Sequence, residues 1–268
     1  MSAIDTVLYD VHNTGGAPIG LTAATVAAGD AALIRNYSLT ERAILEFIAT
    51  QGSGVRLARI TSPLLHDAVT GMTFAFGENP AVMLMPRETG QPVVAGDTLS
   101  VSLSAAATSD TLAALGFYYT NLPGASARLH SWGEISGIVK SIKAVQVAVV
   151  SAAAIGQWTD TLITVTENVL HARTDYALLG YDTDVALLSV GIKGQETGNL
   201  RVCGPGPTTT FATDDYFVNM SDLHGTPHIP VVNADNRGSI FVSVAANTAS
   251  VAANVTLILA ELAQPLNN

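Results

Sequence analysis

Lysine occurs only three times in this chain of 268 residues (Lys140, Lys143 and Lys193), and charged residues of all kinds make up 13% of it. A protein that keeps its whole surface wet by itself normally devotes about a quarter to a third of that surface to charge. With 48% hydrophobic residues beside so little charge, part of the surface is expected to be covered by copies of the chain or by a partner. The plainer alternative is a compact β protein rich in Ala, Val, Thr and Ser. A single cysteine, Cys203, excludes an intramolecular disulfide framework. It sits in the strand-like run NLRVCGPG with no directly adjacent basic residue, so it reads as a small buried hydrophobe and not as a reactive thiol. The nine arginines are scattered and the net charge is −10, which leaves no basic cluster for phosphate and argues against direct nucleic-acid binding.

Other absences narrow the field further. No run approaches the ~20 apolar residues of a membrane span. The richest stretch, IKAVQVAVVSAAAI at 142–155, is too short and carries Lys143 and Gln146. The N-terminal MSAIDTVLYDVHNTGG has neither a basic n-region nor an apolar h-region, so no signal peptide is expected. On that expectation the sequons at Asn36, Asn219 and Asn254 are chance matches. Aromatics are 6% and form no evident sugar-stacking platform; Trp132 and Trp158 read as junction packing. The chain has no GxxxxGK[ST], strand-linked GxGxxG, GxSxG, HExxH or paired-cysteine zinc spacing. GPGP at 204–207 is a turn whose prolines remove the N–H donors an anion site would need. No enzyme activity, no cofactor and no catalytic residue are expected.

Two groups of residues carry metal or acid–base chemistry by type. DDYFVNMSDLHGTPHIP places Asp214, Asp215, Asp222, His224 and His228 within fifteen positions. Such groups can bind calcium or a transition metal, but the segment lacks the regular spacing of a calcium loop and reads first as a solvated loop. Asp182 and Asp184 in GYDTDVA could form a carboxylate pair; at a strand end they more simply cap a tight turn. A cupin-type site would need histidines in both halves, and in the first half only His66 is placed centrally.

What is present is alternation. Residues 98–104 (TLSVSLS) put Leu99, Val101 and Leu103 on one face, and strands are also expected at 239–244, 161–166, 185–192, 255–259 and 44–49. Between them lie the turn-formers QGSG (51–54), TGQP (89–92), AGD (95–97), GQETGN (194–199), GPGP and NADNRG (233–238). Short turns near TERA (40–43) and SDTLAAL (109–115) are open to a helical reading. SWGEISGIVKS at 131–141 predicts a helix: Ser131 followed by Glu134 is a capping box, and Trp132, Ile135 and Val139 share a face.

The pattern occurs twice. Residues 98–122 align without a gap on 238–262, placing Ser102 on Val242 and Leu122 on Leu262, 140 positions on; the segments from Arg35 and from Arg173 match at an offset of 138. The expected architecture is all-β: two tandem jelly-roll-like β-sandwich domains, 1–125 and 158–268, joined by a short helical junction, 126–157. Tandem β units with a helical junction, low charge and no catalytic motif resemble viral structural proteins of the double jelly-roll capsid family. The resemblance covers most of the chain and is one of architecture. It implies a homotrimer whose six sandwiches tile a capsid surface, a virion location after assembly in the host cytoplasm, and partnership with other capsid proteins. Decoration or cement proteins of tailed phages are β-rich oligomers too, so the tile and decoration roles both stay open. A tandem binding module, carbohydrate-binding or adhesin-like, is the alternative from another class.

Overall fold

The computed structural model describes residues 2–11, 19–26, 42–52, 57–64, 67–77, 80–85, 91–93, 99–105, 110–120, 122, 127–164, 169–209 and 211–266. Strands of the first half are β1 (Ala3–Val11), β2 (Ile19–Ala23), β3 (Thr25–Val26), β4 (Arg42–Gly52) and β5 (Leu57–Ser62). They continue with β6 (Asp67–Ala75), β7 (Ala81–Leu84), β8 (Gln91–Val93), β9 (Ser100–Ala105) and β10 (Thr111–Thr120). One sheet runs β3-β1-β10-β4-β7, with β8 also on β4, and the other runs β2-β9-β5-β6. Apart from the short β3 and β8, the eight strands counted in chain order are arranged 1-8-3-6 against 2-7-4-5, the order of a jelly roll.

A two-residue strand β11 (Leu129–His130), helix α1 (Trp132–Ile135) and one 3₁₀ turn (Ser136–Ile138) lead into the second half. There follow β12 (Val139–Val150), β13 (Thr159–Leu162), β14 (Asp175–Thr183), β15 (Ser189–Gly194) and β16 (Arg201–Pro205). Helix α2 (Tyr216–His224), β17 (Ile229–Asn233), β18 (Ile240–Ala245) and β19 (Ala252–Leu262) complete it. The sheets are β11-β17-β14-β19-β12 and β13-β18-β15-β16, again 1-8-3-6 against 2-7-4-5. The molecule is all-β, two tandem jelly-roll sandwiches with a short helical segment between them.

The helix at the junction is shorter than its sequence suggests. Glu134 accepts from the Ser131 N–H at 2.8 Å, closing the start as the capping box requires. From Val139 the chain is strand, paired with β19 along its length. The run VKSIKAVQVAVV alternates with period two and is rich in β-branched residues, and a sheet partner along its whole length outweighs another turn of helix. Within the span 126–157, therefore, Trp132–Ile138 is helical and Val139–Val150 is the first strand of the second sandwich. SDTLAAL is not helical either: from Thr111 it is strand β10, buried on both faces. A strand covered on both sides loses its alternation, which is why the run looked ambiguous. The TERA turn is described only from Arg42, where β4 begins.

Pairing registers fix how the two halves superpose. In the first, β4 carries one extra residue, Glu46, where Gly116 pairs with Phe47 and Phe117 with Leu45. In the second, β14 carries one extra residue, Leu179, where Leu259 pairs with Leu178 and Ile258 with Gly180. Matching these bulges sets Gly116 on Ile258 and, through the next ladder, Ile4 on Ile142, Thr6 on Ala144 and Leu8 on Gln146. For β9 and β18 the ungapped alignment is one residue out of phase. Val101 and Leu103 point inward, and so do Val242 and Val244, whereas an offset of 140 sets Val101 on Phe241. The turn before the last strand is one residue longer in the second half, and a slip of one exchanges the faces of a strand.

Candidate assembly surfaces and the seam between the sandwiches

The first sandwich fills its interior with residues such as Val7, Leu45, Ile48, Leu103, Leu115 and Phe117. The opposite face of its larger sheet is buried as well. Ile4, Leu8, Phe47, Leu112, Ala114 and Tyr118 belong to the same continuous apolar cluster as the core of the second sandwich. The two units therefore meet broadly, with β16 and α2 lying on the outer face of β1, β10 and β4. Gly116 lets this happen: a Cβ there would lie 2.0 Å from the Phe47 ring, which turns edge-on to Tyr216 at 6.3 Å.

Strand β16 is last in its sheet, and an edge strand must have its backbone groups covered. The first sandwich covers them. The Thr6 hydroxyl donates to the Cys203 carbonyl at 2.8 Å, and Asp5 accepts from the Arg201 N–H at 3.2 Å. Further along, Gln51 accepts from the Asn247 N–H at 3.1 Å and donates to the Ala186 carbonyl at 3.4 Å. Cys203 is buried, and its carbonyl rather than its sulfur makes this polar contact with the first sandwich. The indole of Trp158 lies under the Arg201 guanidinium, 5.1 Å away.

At the centre of the seam Glu46, the bulge residue, pairs with His228. Both are buried. The ring stacks on Tyr118 at 4.7 Å, and its Nδ1 lies 3.1 Å from the Thr226 carbonyl. Burial alone would disfavour charge on the ring. The charge and hydrogen bond of Glu46, with the Thr226 carbonyl, outweigh it and hold His228 above the ordinary histidine value. An imidazolium donating from both nitrogens fits these partners. His224 stacks beyond it at 5.5 Å and titrates below the ordinary value, chiefly because it is buried.

The remaining sequence candidates do not converge. The segment read as a solvated loop is helix α2, closed by Gly225 in the left-handed conformation (φ 64°) with its N–H on the Ser221 carbonyl. Tyr216, Phe217 and Met220 are its buried side, and their spacing was the signal available in the sequence. Asp214, Asp215 and Asp222 are exposed, and Asp215 is bound to Asn219 at 2.6 Å. Of the five, only His224 and His228 meet, and the acid that joins them, Glu46, was not foreseen. Among the described residues no three of His, Cys, Asp and Glu come together as a metal site. Asp184 takes the backbone and side-chain N–H groups of Asn254 at 2.8 and 2.6 Å, and Asp182 caps Thr183, so this pair shapes a turn. His66 lies outside the described residues.

Two charged clusters fasten the second sandwich. Asp175 is buried and accepts from both Arg128 terminal nitrogens (2.6 and 3.3 Å), from Asn233 at 2.7 Å and from the Leu266 N–H at 2.9 Å. Glu196, from GQETGN, joins Arg128 and the Asn233 N–H, so GQETGN and NADNRG are tied to each other as well as facing solvent. At the far end Glu261 accepts from Lys140 (2.6 Å), Lys143 (3.1 Å) and Ser141 (3.1 Å). The Lys140 hydrogen bond leads in holding its carboxyl down at about 2, below the usual 4.5. Lys143→Met is expected to move that value up toward 4.5, read as the Glu261 carboxyl shift in an NMR titration; an unmoved midpoint would show that Lys140 and Ser141 hold it down without Lys143.

The surface that remains open is uneven. Along β12 the outward residues Lys140, Ile142, Ala144, Gln146, Ala148 and Val150 are exposed. On β6 and the turn before it, Leu64, Val69, Thr73 and Ala75 are exposed. Among the described residues no helix is long and apolar enough to cross a membrane.

No protein-family model matches the chain, and no curated protein matches it in sequence. Several solved structures show a likeness, among them the following two. One is a chain in the atomic structure of Sulfolobus Turreted Icosahedral Virus, 10% identical, covering 100% of this chain and 82% of that one, with a TM-score of 0.25. The other is the major capsid protein P2 from Bacteriophage PM2, 9% identical, covering 97% of this chain and 98% of that one, with a TM-score of 0.27. The jelly-roll assignment rests on strand order and register.

Proposed function

We propose that this chain is a virion structural protein, a homotrimeric subunit of a phage or viral capsid surface, serving as a major capsid tile or as a decoration protein on a shell made by another. The observation that carries the proposal is the duplicated 1-8-3-6 and 2-7-4-5 sandwich, locked side by side through a buried seam. Two like units joined rigidly give three chains six similar sandwiches, enough to close a ring. Scarce charge and an exposed, partly apolar strand face suit a surface that other subunits cover. Its partners are then further copies and other capsid proteins, and its place is the virion.

Light scattering of the purified chain is expected to give the mass of a trimer or a larger assembly. A monomer that persists at high concentration would overturn the proposal. Shells formed by this protein alone, seen by negative stain, would select the tile role; binding only to preformed shells would select decoration.

A further inference from the structure

We infer that the cleft between helix α2 and strand β7 is a binding site for a small organic cation, an aromatic or branched-aliphatic body that carries a primary ammonium group. The site belongs to a single chain and is independent of the assembly proposed above.

The cleft is built from both sandwiches. In YFVNMSDLH the residues Tyr216, Asn219, Met220 and Leu223 recur at i, i+3, i+4 and i+7, which is one face of a helix. That face lines an open cleft of about 440 Å³, together with Phe211 and Ala212 ahead of the helix and Leu84 at the end of β7. Strand β7 is the last of its sheet, so among the described residues no further strand fills the space beside Leu84. The volume falls within the range of small-molecule sites, about 300–1,000 Å³.

The walls select the ligand. Leu84, Phe211, Met220 and Leu223 give the cleft an apolar interior, while its exposed polar groups are acceptors. Asp222 is exposed, and its carboxylate carries no hydrogen bond or ion pair among the described residues. Asn219 spends its amide N–H on Asp215 at 2.6 Å and keeps its side-chain oxygen for a donor. No lysine or arginine lines the cleft among the described residues, and Asp214 and Asp215 beside it are acids as well. An anion there would meet only like charge, whereas an ammonium group finds a carboxylate and an amide oxygen. Deeper in the wall, Tyr216 is 4% exposed and its hydroxyl has no hydrogen-bond partner among the described residues. Burial holds it protonated, so it titrates well above the ordinary tyrosine value and offers a ligand one further polar contact.

Two fluorescent probes with the same aromatic body test this on the full-length chain. Dansylcadaverine ends its tether in an ammonium group, and dansyl-aminocaproate ends a similar tether in a carboxylate. Dansylcadaverine emission is expected to shift to the blue and to saturate at one probe per chain, and that of the carboxylate is not. Asp222→Asn should weaken the ammonium probe about fivefold, the upper end for one exposed ion pair. Ala212 is exposed, so Ala212→Trp fills the cleft from outside the core and should abolish the saturable response at an unchanged denaturation midpoint. Equal saturation by the two probes, or full affinity in Asp222→Asn, would overturn the choice of a cation. No saturable response in the wild-type chain, or one that survives Ala212→Trp, would overturn the site. A response that fades as chain concentration rises would show a second copy filling the cleft, and would overturn the small ligand.

Discussion

Glu46→Ala is expected to cost about 3–5 kcal/mol of stability, the usual penalty for removing one member of a buried ion pair. His228 would have to keep a buried charge without its partner or give up its proton, while Tyr118 still packs against the ring. The pH dependence has a definite sign. His228 titrates above its ordinary 6.5 in the folded chain. The pair's contribution is therefore fully present below pH 6.5 and is lost as pH rises through the folded value. Wild type and Glu46→Ala should differ most on the acid side and converge in alkali, measured as denaturation midpoints over roughly pH 5 to 9, the range in which histidines titrate. Glu46→Gln, which can still accept a hydrogen bond, should fall between them. Parallel curves for wild type and Glu46→Ala would remove the pair as a pH-sensitive tie.

Asp175→Ala is expected to be comparably damaging, again by about 3–5 kcal/mol. Its carboxylate joins Arg128 ahead of α1, Asn233 at the end of β17 and Leu266 in the C-terminal segment. Burial alone would raise this acid; the Arg128 hydrogen bonds, the Leu266 N–H, the Asn233 amide and the Arg128 charge hold it below 3.8. Its contribution is present above pH 3.8 and lost as pH falls through the lower folded value, opposite in sense to His228. Faster hydrogen exchange at Leu266 in Asp175→Ala, with a lower denaturation midpoint, is the expected result. Unchanged exchange there would show that Arg128 alone holds the segment, through its bond to the Leu266 carbonyl.

How far the sequence foretold this depends on what covers each strand. Strands with one wet face, such as β9 and β12, announce themselves by alternation, whereas β10 and β14 are covered on both faces or nearly so and read as featureless apolar runs. The repeat was legible as pattern. Its register was not, because a single added turn residue reverses the faces of β9 against β18. Helix α2 was hidden behind its acids: Asp214, Asp215 and Asp222 drew attention to metal chemistry, while Tyr216, Phe217 and Met220 carried the packing. His228 stood out because of its neighbours in sequence, yet its partner is 182 residues away. Only the topology brings them together, since nothing local marks Glu46 inside ILEFIA as a buried acid.

Helix α2 has one further consequence. The link from β16 to β17 carries it, whereas the corresponding link from β6 to β7 spans only residues 76–80. The two sandwiches share a strand plan but not an outline. In the ring proposed above, units that carry a helix at this link would alternate with units that do not, and a neighbour rotated by half a repeat would meet the wrong profile.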